Sequence, residues 1–290
     1  MNVLWVFAHP ERRSLNGALR REGLRALDDM GHQVRQSDLY AMGWDPVVRA
    51  ADYGHDPRER LLVGAVSQRA HVAGGLSEDI RAEHDKIAWA DALVLQFPLW
   101  WFGMPAILKG WFDRVFVQGF AFGVKDARGR TLRYGDGNLT GKRAMVVVTA
   151  GARDSGLRGR GVHGDVEELL FPLHHGTLWY TGMSVLPPLV VPGADRLDGG
   201  GFGDWAACLR ERLRGLGTDE PIAFRRELGG DYDGDLVLRP HLDPGRAGLA
   251  IHRRHGTAPP DQPPEQPPSR PLGQEPSPPG QVPCRSSGSR

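Results

Sequence analysis

The chain has 290 residues, 40% of them hydrophobic, and a formal net charge of +1. That length holds one large α/β domain or two small ones, with enough apolar mass for a real core. Near-neutral charge argues against the broad basic face of a nucleic-acid binder and against an acidic field for a basic protein, which leaves small, modestly charged ligands.

Strand and helix patterns alternate from the first residues. Val3 to Phe7 is an apolar strand, Ser14 to Met30 has helical periodicity and Gln33 to Leu39 is a strand again, so the chain begins as a parallel βαβ unit. The run Val3 to Ala8 is too short to span a bilayer and lacks a basic leader and cleavage site. The stretch Pro46 to Gly75 is irregular, with a short helical segment among Pro and Gly; a connection of that length is functional or interfacial. A helix near Ser77 to Trp89, a strand Ala92 to Phe97, a helix Pro105 to Val117 and a strongly buried strand Ala144 to Thr149 follow. A helix comes after Asp165, then a strand near Val185 to Val191 and a helix around Asp204 to Leu216. The pattern predicts an α/β fold with a doubly wound five-stranded parallel sheet, its ligands at the carboxyl ends of strands one, three and four. This domain is expected over residues 1–256. From about Thr257, proline pairs among Gln, Ser, Gly and Arg predict a disordered tail over 257–290, a solubilising extension rather than a docking arm. Cys208 and Cys284 offer neither a disulfide framework nor metal-ligand spacing, which suits a reducing cytoplasm.

The first strand ends in Ala8-His9-Pro10-Glu11-Arg12-Arg13-Ser14-Leu15-Asn16, where a helix begins. Its unpaired N–H groups and positive dipole end suit a phosphate. Ser14 or Asn16 either caps the helix or reaches that anion, and His9 either donates to it or is a turn residue. No G-x-G-x-x-G is present, so a Rossmann dinucleotide site is not indicated. The third strand runs into Pro98-Leu99-Trp100-Trp101-Phe102-Gly103-Met104-Pro105, three aromatics in a loop opened by Gly103, with Pro105 suited to the first helical position. A core has little use for three aromatics in a turn. A planar ring system does, because backbone N–H groups bond the electron-accepting edge of a flavin while aromatic faces stack on a substrate. The fourth strand ends in Thr149-Ala150-Gly151-Ala152, small residues that let backbone approach a flat ligand. In Gly161-Val162-His163-Gly164-Asp165, Asp165 reads as a helix N-cap, and His163 as either a general acid toward a quinol oxyanion or a solvated side chain.

In chain order, AHPERRSLN, SDLYAM, LSEDI, FPLWWFGMPAILKGWFDRVF, TAG and GVHGD resemble the NAD(P)H dehydrogenase (quinone) family over about Met1 to Val191, and weakly over Ala247 to His252. The long aromatic run is the specific one. The resemblance implies a cytoplasmic flavodoxin-like homodimer with one flavin per subunit at the interface, FAD with FMN still possible, and NAD(P)H as co-substrate. It implies ping-pong chemistry: NAD(P)H delivers hydride to flavin N5 and leaves, and a quinone then takes two electrons in the same place. Carried over by motif, His9, Leu15 and Asn16, with Ser14 beside them, match the flavin phosphate and ribityl contacts. Leu99, Trp100, Trp101 and Phe102, after Pro98, match the ring contacts, and Thr149, Ala150, Gly151 and Ala152 match the second ring loop. His163 matches the histidine that assists hydride transfer, and with Trp101, Phe102, Phe122 and Gly151 it is expected to line the quinone place.

The chain also departs from that family. The catalytic tyrosine upstream of the histidine is Leu157 here, Trp100 stands where mammalian members are polar, and Phe122 and Val124 replace tyrosines of the quinone pocket. The insertion after the second strand matches poorly, which leaves the adenine end of FAD without residues. Two further readings keep the flavin: a regulatory subunit of a membrane ion-efflux system, and a tailoring reductase of an aromatic natural-product quinone. A flavodoxin-type electron carrier is disfavoured by the neutral charge and the His-Pro-Glu-Arg loop.

Overall fold

The structure is a computed structural model that describes residues 1–197 and 199–254; the proline-rich segment 257–290 lies outside the described residues. β1 (Asn2–Phe7) is buried on both sides of the sheet: Val3, Trp5 and Phe7 enter one core, while Leu4 and Val6 enter the other. α1 (Leu15–Asp29) returns the chain to β2 (Gln33–Asp38), a largely exposed edge strand. The expected insertion holds a 3₁₀ turn at Ala50–Tyr53 and the eleven-residue helix α2 (Val63–Ala73). Then come α3 (Glu78–Trp89), the wholly buried β3 (Ala92–Pro98), α4 (Ala106–Val115) and β4 (Arg143–Ala150). After a loop, α5 (Val166–Leu169), α6 (Phe171–Leu173) and a π-helical turn His174–Trp179 lead to β5 (Ser184–Val185), β6 (Leu189–Pro192) and α7 (Gly199–Arg214).

The strand order is β2-β1-β3-β4-β5, with β6 also on β4 and every pairing parallel. The doubly wound sheet is therefore as expected, but its fifth position is split. Pro187 and Pro188 lie between the two fragments and lack the N–H that a continuous ladder needs. β5 pairs with the start of β4 and β6 with its end. Pro105 stands one residue before α4, at the N-cap, where its carbonyl accepts from Leu108 at 2.9 Å and Lys109 at 3.1 Å. α7 begins at Gly199, earlier than the periodicity shows, because a run of glycines carries no apolar signal.

Helices α1 and α7 cover the Val3 face, where Leu19, Leu27, Leu209 and Leu213 are buried. The other face takes α3, α4 and the insertion, with Ile80, Ile87, Leu108 and Trp111 inside. A buried guanidinium fastens the insertion: Arg114 donates to Asp52 at 2.8 Å and to Asp79 at 2.6 Å and lies 4.6 Å from the Trp44 ring. Backbone contact is equally close, since a Cβ on Gly110 would sit 2.2 Å from the Pro46 carbonyl oxygen. No helix among the described residues is long and apolar enough to cross a membrane.

Candidate active site

The strand order sets the carboxyl ends of β1, β3 and β4 side by side, and their loops meet there. In the first loop, the Glu11 N–H donates to His9 Nδ1 at 3.0 Å. With Nδ1 accepting there, Nε2 is the ring nitrogen left to donate. Ser14 is the N-cap of α1: its hydroxyl donates to the Glu11 carbonyl at 2.6 Å and accepts from the Gly17 N–H at 3.2 Å. Arg13 hydrogen-bonds Glu11 through its N–H and guanidinium and holds that carboxylate down at about 2. Gly17 is required sterically, because a Cβ there would lie 2.0 Å from the Arg12 carbonyl oxygen.

Asn16 does not reach outward as a helix-start residue would. It is buried, and its Nδ2 donates to Thr149 Oγ1 at 2.7 Å, while its backbone carbonyl accepts from Gln96 Nε2 at 2.8 Å. Gln96 in turn accepts from Trp5 Nε1 at 3.0 Å. This buried polar chain joins β1, β3, β4 and α1 beneath the loops. It leaves one gap: Asn16 Oδ1 is buried with no hydrogen-bond partner. Leu15 is half-buried against the core shared by α1 and α7.

The aromatic loop follows β3 directly. Pro98 closes the strand opposite Thr149, and the Leu99 N–H bonds the Thr149 carbonyl at 2.8 Å. Trp100 and Gly103 then exchange N–H···O bonds, both at 3.0 Å, which makes Trp101 and Phe102 the two corner residues of a tight turn. Both adopt positive φ, +48° and +62°. Paired positive φ is the habit of Asn-Gly corners and is strained for bulky residues. Gly103, read from the sequence as opening the loop, closes this turn instead, and the left-handed backbone falls on the aromatics. Trp101 is 96% exposed, and Trp100 and Phe102 are also open to solvent. The N–H groups of Trp101 and Phe102 find no acceptor among the described residues.

Ring contacts tie the loops together. Trp100 lies 6.2 Å from His9 and Phe102 lies 5.6 Å from His163. His163 is half-buried, its N–H bonded to the Gly156 carbonyl at 3.1 Å, and Asp165 caps α5 by accepting from Glu167 N–H at 2.8 Å as expected. Behind the Thr149–Ala152 loop, Arg196 donates to the Gly151 carbonyl at 2.9 Å and the Gly193 N–H bonds Ala152 at 2.8 Å. A Cβ on Gly151 would lie 2.6 Å from the Asp195 carboxylate. Phe122 does not join this group. It sits in the turn after α4, its carbonyl bonded to the Gly119 N–H at 2.7 Å.

These features fit a flat, polar-edged ring system with a hydroxylated or phosphorylated side arm. Free N–H groups and open aromatic faces stand at one end, and a buried orphan acceptor and a helix start stand at the other. The chain matches a protein-family model described as a flavodoxin-like fold over residues 1–201. A ribosyldihydronicotinamide dehydrogenase-like protein of Penicillium crustosum is 44% identical over 235 residues, 80% of this chain and 87% of that protein. NAD(P)H dehydrogenase [quinone] 1 of Cavia porcellus is 37% identical over 225 residues, 77% of this chain and 79% of that protein. Among solved structures, a Klebsiella pneumoniae protein assigned as a quinone reductase shares 49% identity with a TM-score of 0.84, covering 88% of this chain and all of that one.

The chain belongs to the NAD(P)H dehydrogenase (quinone) family.

Leu157, which stands where the resemblance leads one to expect a tyrosine, is 4% exposed and packs in the core. Three supporting residues escaped the sequence reading. Gln96 had one visible signal, a lone amide inside the apolar strand Ala92–Pro98. Asp195 and Arg196 had none, because their turn follows a strand distant in sequence from the loop they brace.

Proposed function

We propose that this chain passes two electrons from NAD(P)H to a quinone at a flavin held by the β1, β3 and β4 loops. The overall activity is that of an NAD(P)H:quinone oxidoreductase. The observation that carries the reading is the Trp100–Gly103 turn, which holds two aromatic residues in strained backbone and presents them in the open beside His163. Strain of this kind, of order 1–3 kcal/mol per residue, persists where function uses the geometry.

The family's cofactor habit favours FAD, and FMN is compatible with the same residues. A bound flavin supplies the two-electron carrier between the nicotinamide and the quinone. His9 Nε2 and the start of α1 would meet its phosphate, Asn16 Oδ1 would accept from its side-arm hydroxyl, and the Trp101, Phe102 and Gly151 backbone would edge the ring. Trp101 and Phe102 pack against whichever flat substrate occupies the site. His163 donates a hydrogen bond to the quinone oxygen as negative charge develops there, and without a tyrosine it acts alone or with water. Phe122, which makes no ring contact or hydrogen bond to these loops among the described residues, would meet the site from a second copy, which accords with a homodimer.

The test begins with colour. Purified protein should be yellow, extraction and chromatography should give FAD, and the holoprotein should reduce quinones with NADPH or NADH. A colourless protein that neither flavin reconstitutes would sink the proposal.

A further inference from the structure

We infer that Arg153 and Arg160 are the residues that hold the phosphates of the dinucleotide donor, and that they set the preference for NADPH or NADH over a phosphate-free dihydronicotinamide. The inference rests on the quinone-reductase reading and names the residues that select its donor.

The loop from Ala152 to Asp165 carries three arginines and two aspartates. Both carboxylates are committed: Arg158 donates to Asp154 at 2.6 and 3.0 Å, and Asp165 spends its oxygen on the Glu167 N–H at 2.8 Å. Arg153 and Arg160 are exposed, and neither guanidinium has a hydrogen-bond or ion-pair partner among the described residues. In a chain of net charge +1 this is a local excess of positive charge on the very loop that presents His163.

The loop is folded rather than slack. Gly156 N–H bonds the Arg153 carbonyl at 3.0 Å, Gly161 N–H bonds the Arg158 carbonyl at 2.7 Å, and His163 N–H returns to Gly156. Gly161 has no room for a side chain, since a Cβ would lie 2.3 Å from the Gly156 carbonyl oxygen. Arg160 is therefore displayed at the tip of a fixed turn. Three residues of chain span at most about 11 Å, so the His163 ring and the Arg160 guanidinium can serve one bound molecule. A guanidinium's planar fork matches phosphate better than any neutral group. Quinones offer no anion, and the aromatic surface of Trp101 and Phe102 already suits them. A nicotinamide dinucleotide offers both a flat ring and a phosphate arm, and its 2′-phosphorylated form offers one anion more.

The experiment uses the flavin-loaded protein with excess 2-methyl-1,4-naphthoquinone and three donors: NADPH, NADH and N-ribosyldihydronicotinamide. Wild type is compared with the double variants Arg153→Ala/Arg160→Ala and Arg153→Lys/Arg160→Lys. Each exposed charge contact is worth about two- to fivefold, so the alanine pair should lower the ratio of kcat/KM for NADPH to that for the riboside about tenfold. The change should lie mainly in KM, and the lysine pair should keep most of the ratio. Titration of NADP⁺ into oxidised holoprotein should show the same weakening, and wild-type affinity should fall with added salt. An unchanged ratio in the alanine pair, or an equal loss for all three donors, overturns the inference while the reductase reading stands. Failure of wild type to turn over with any donor removes that reading itself.

Discussion

Asn16→Ala separates holding the cofactor from holding the fold. The side chain is 3% exposed, its Nδ2 bonds Thr149 Oγ1 at 2.7 Å and its Oδ1 has no partner. Without flavin, the substitution strands the Thr149 hydroxyl, which costs about 1–3 kcal/mol. It also removes a buried carbonyl that was itself unsatisfied, and that relief is of the same size, about 1–3 kcal/mol. The two nearly cancel, so apoprotein stability should change by about 1 kcal/mol or less. On the proposed reading the orphan oxygen accepts from the flavin's side arm, and a neutral hydrogen bond contributes about 0.5–1.5 kcal/mol. Flavin Kd should then rise about three- to tenfold, since 1.4 kcal/mol is a factor of ten. Urea unfolding of apoprotein and fluorescence titration of flavin measure the two quantities separately. A fall in apoprotein stability of about 3 kcal/mol or more, with Kd unchanged within twofold, would refute the assignment and make Asn16 a structural residue.

His163→Ala should lower kcat/KM for quinone about a hundredfold, the lower end of general acid–base contributions, with flavin content unchanged on extraction; unaltered turnover would make this histidine structural. Arg114→Leu strands the buried Asp52 carboxylate and should cost about 3–5 kcal/mol in urea unfolding, while adding Asp52→Leu should restore much of the loss. A double variant as unstable as the single one would show that the pair is not what anchors the insertion. His174 is wholly buried with neither ring nitrogen bonded, and burial, reinforced by nearby Arg253, pushes its pKa down from 6.5 to about 3. Its neutral form belongs to the folded state, so its contribution is present above pH 6.5 and is lost as pH falls, by about 3 kcal/mol at pH 4. Replacing it with Phe should flatten that part of the acid limb, measured as urea midpoints at pH 7 and pH 4.

What the amino-acid sequence discloses follows the range of the interactions. The buried strands were legible because a sheet covered on both faces must be apolar at consecutive positions, as β1, β3 and β4 are. The N-caps Ser14 and Asp165 were legible because a cap is settled within three residues. The polar chain through Trp5, Gln96, Asn16 and Thr149 was not, since its members are brought together only by the sheet order. The split fifth strand and the early start of α7 were hidden by prolines and glycines, which carry no periodicity.

The aromatic loop is the informative case, because its backbone departs from what local preference alone favours. Left-handed backbone costs least at glycine, and Gly103 is the glycine of this loop. The folded chain instead pins Leu99 to Thr149 and closes Trp100 on Gly103, which leaves only Trp101 and Phe102 to make the corner. A glycine at either position would relax the turn and forfeit a ring. Strain that sits on the aromatics, beside His9 and His163, is the local inconsistency expected of the proposed site. On the proposed reading, the run from Phe97 to Pro105 answers to the flat molecules it would hold more than to the stability of its own loop.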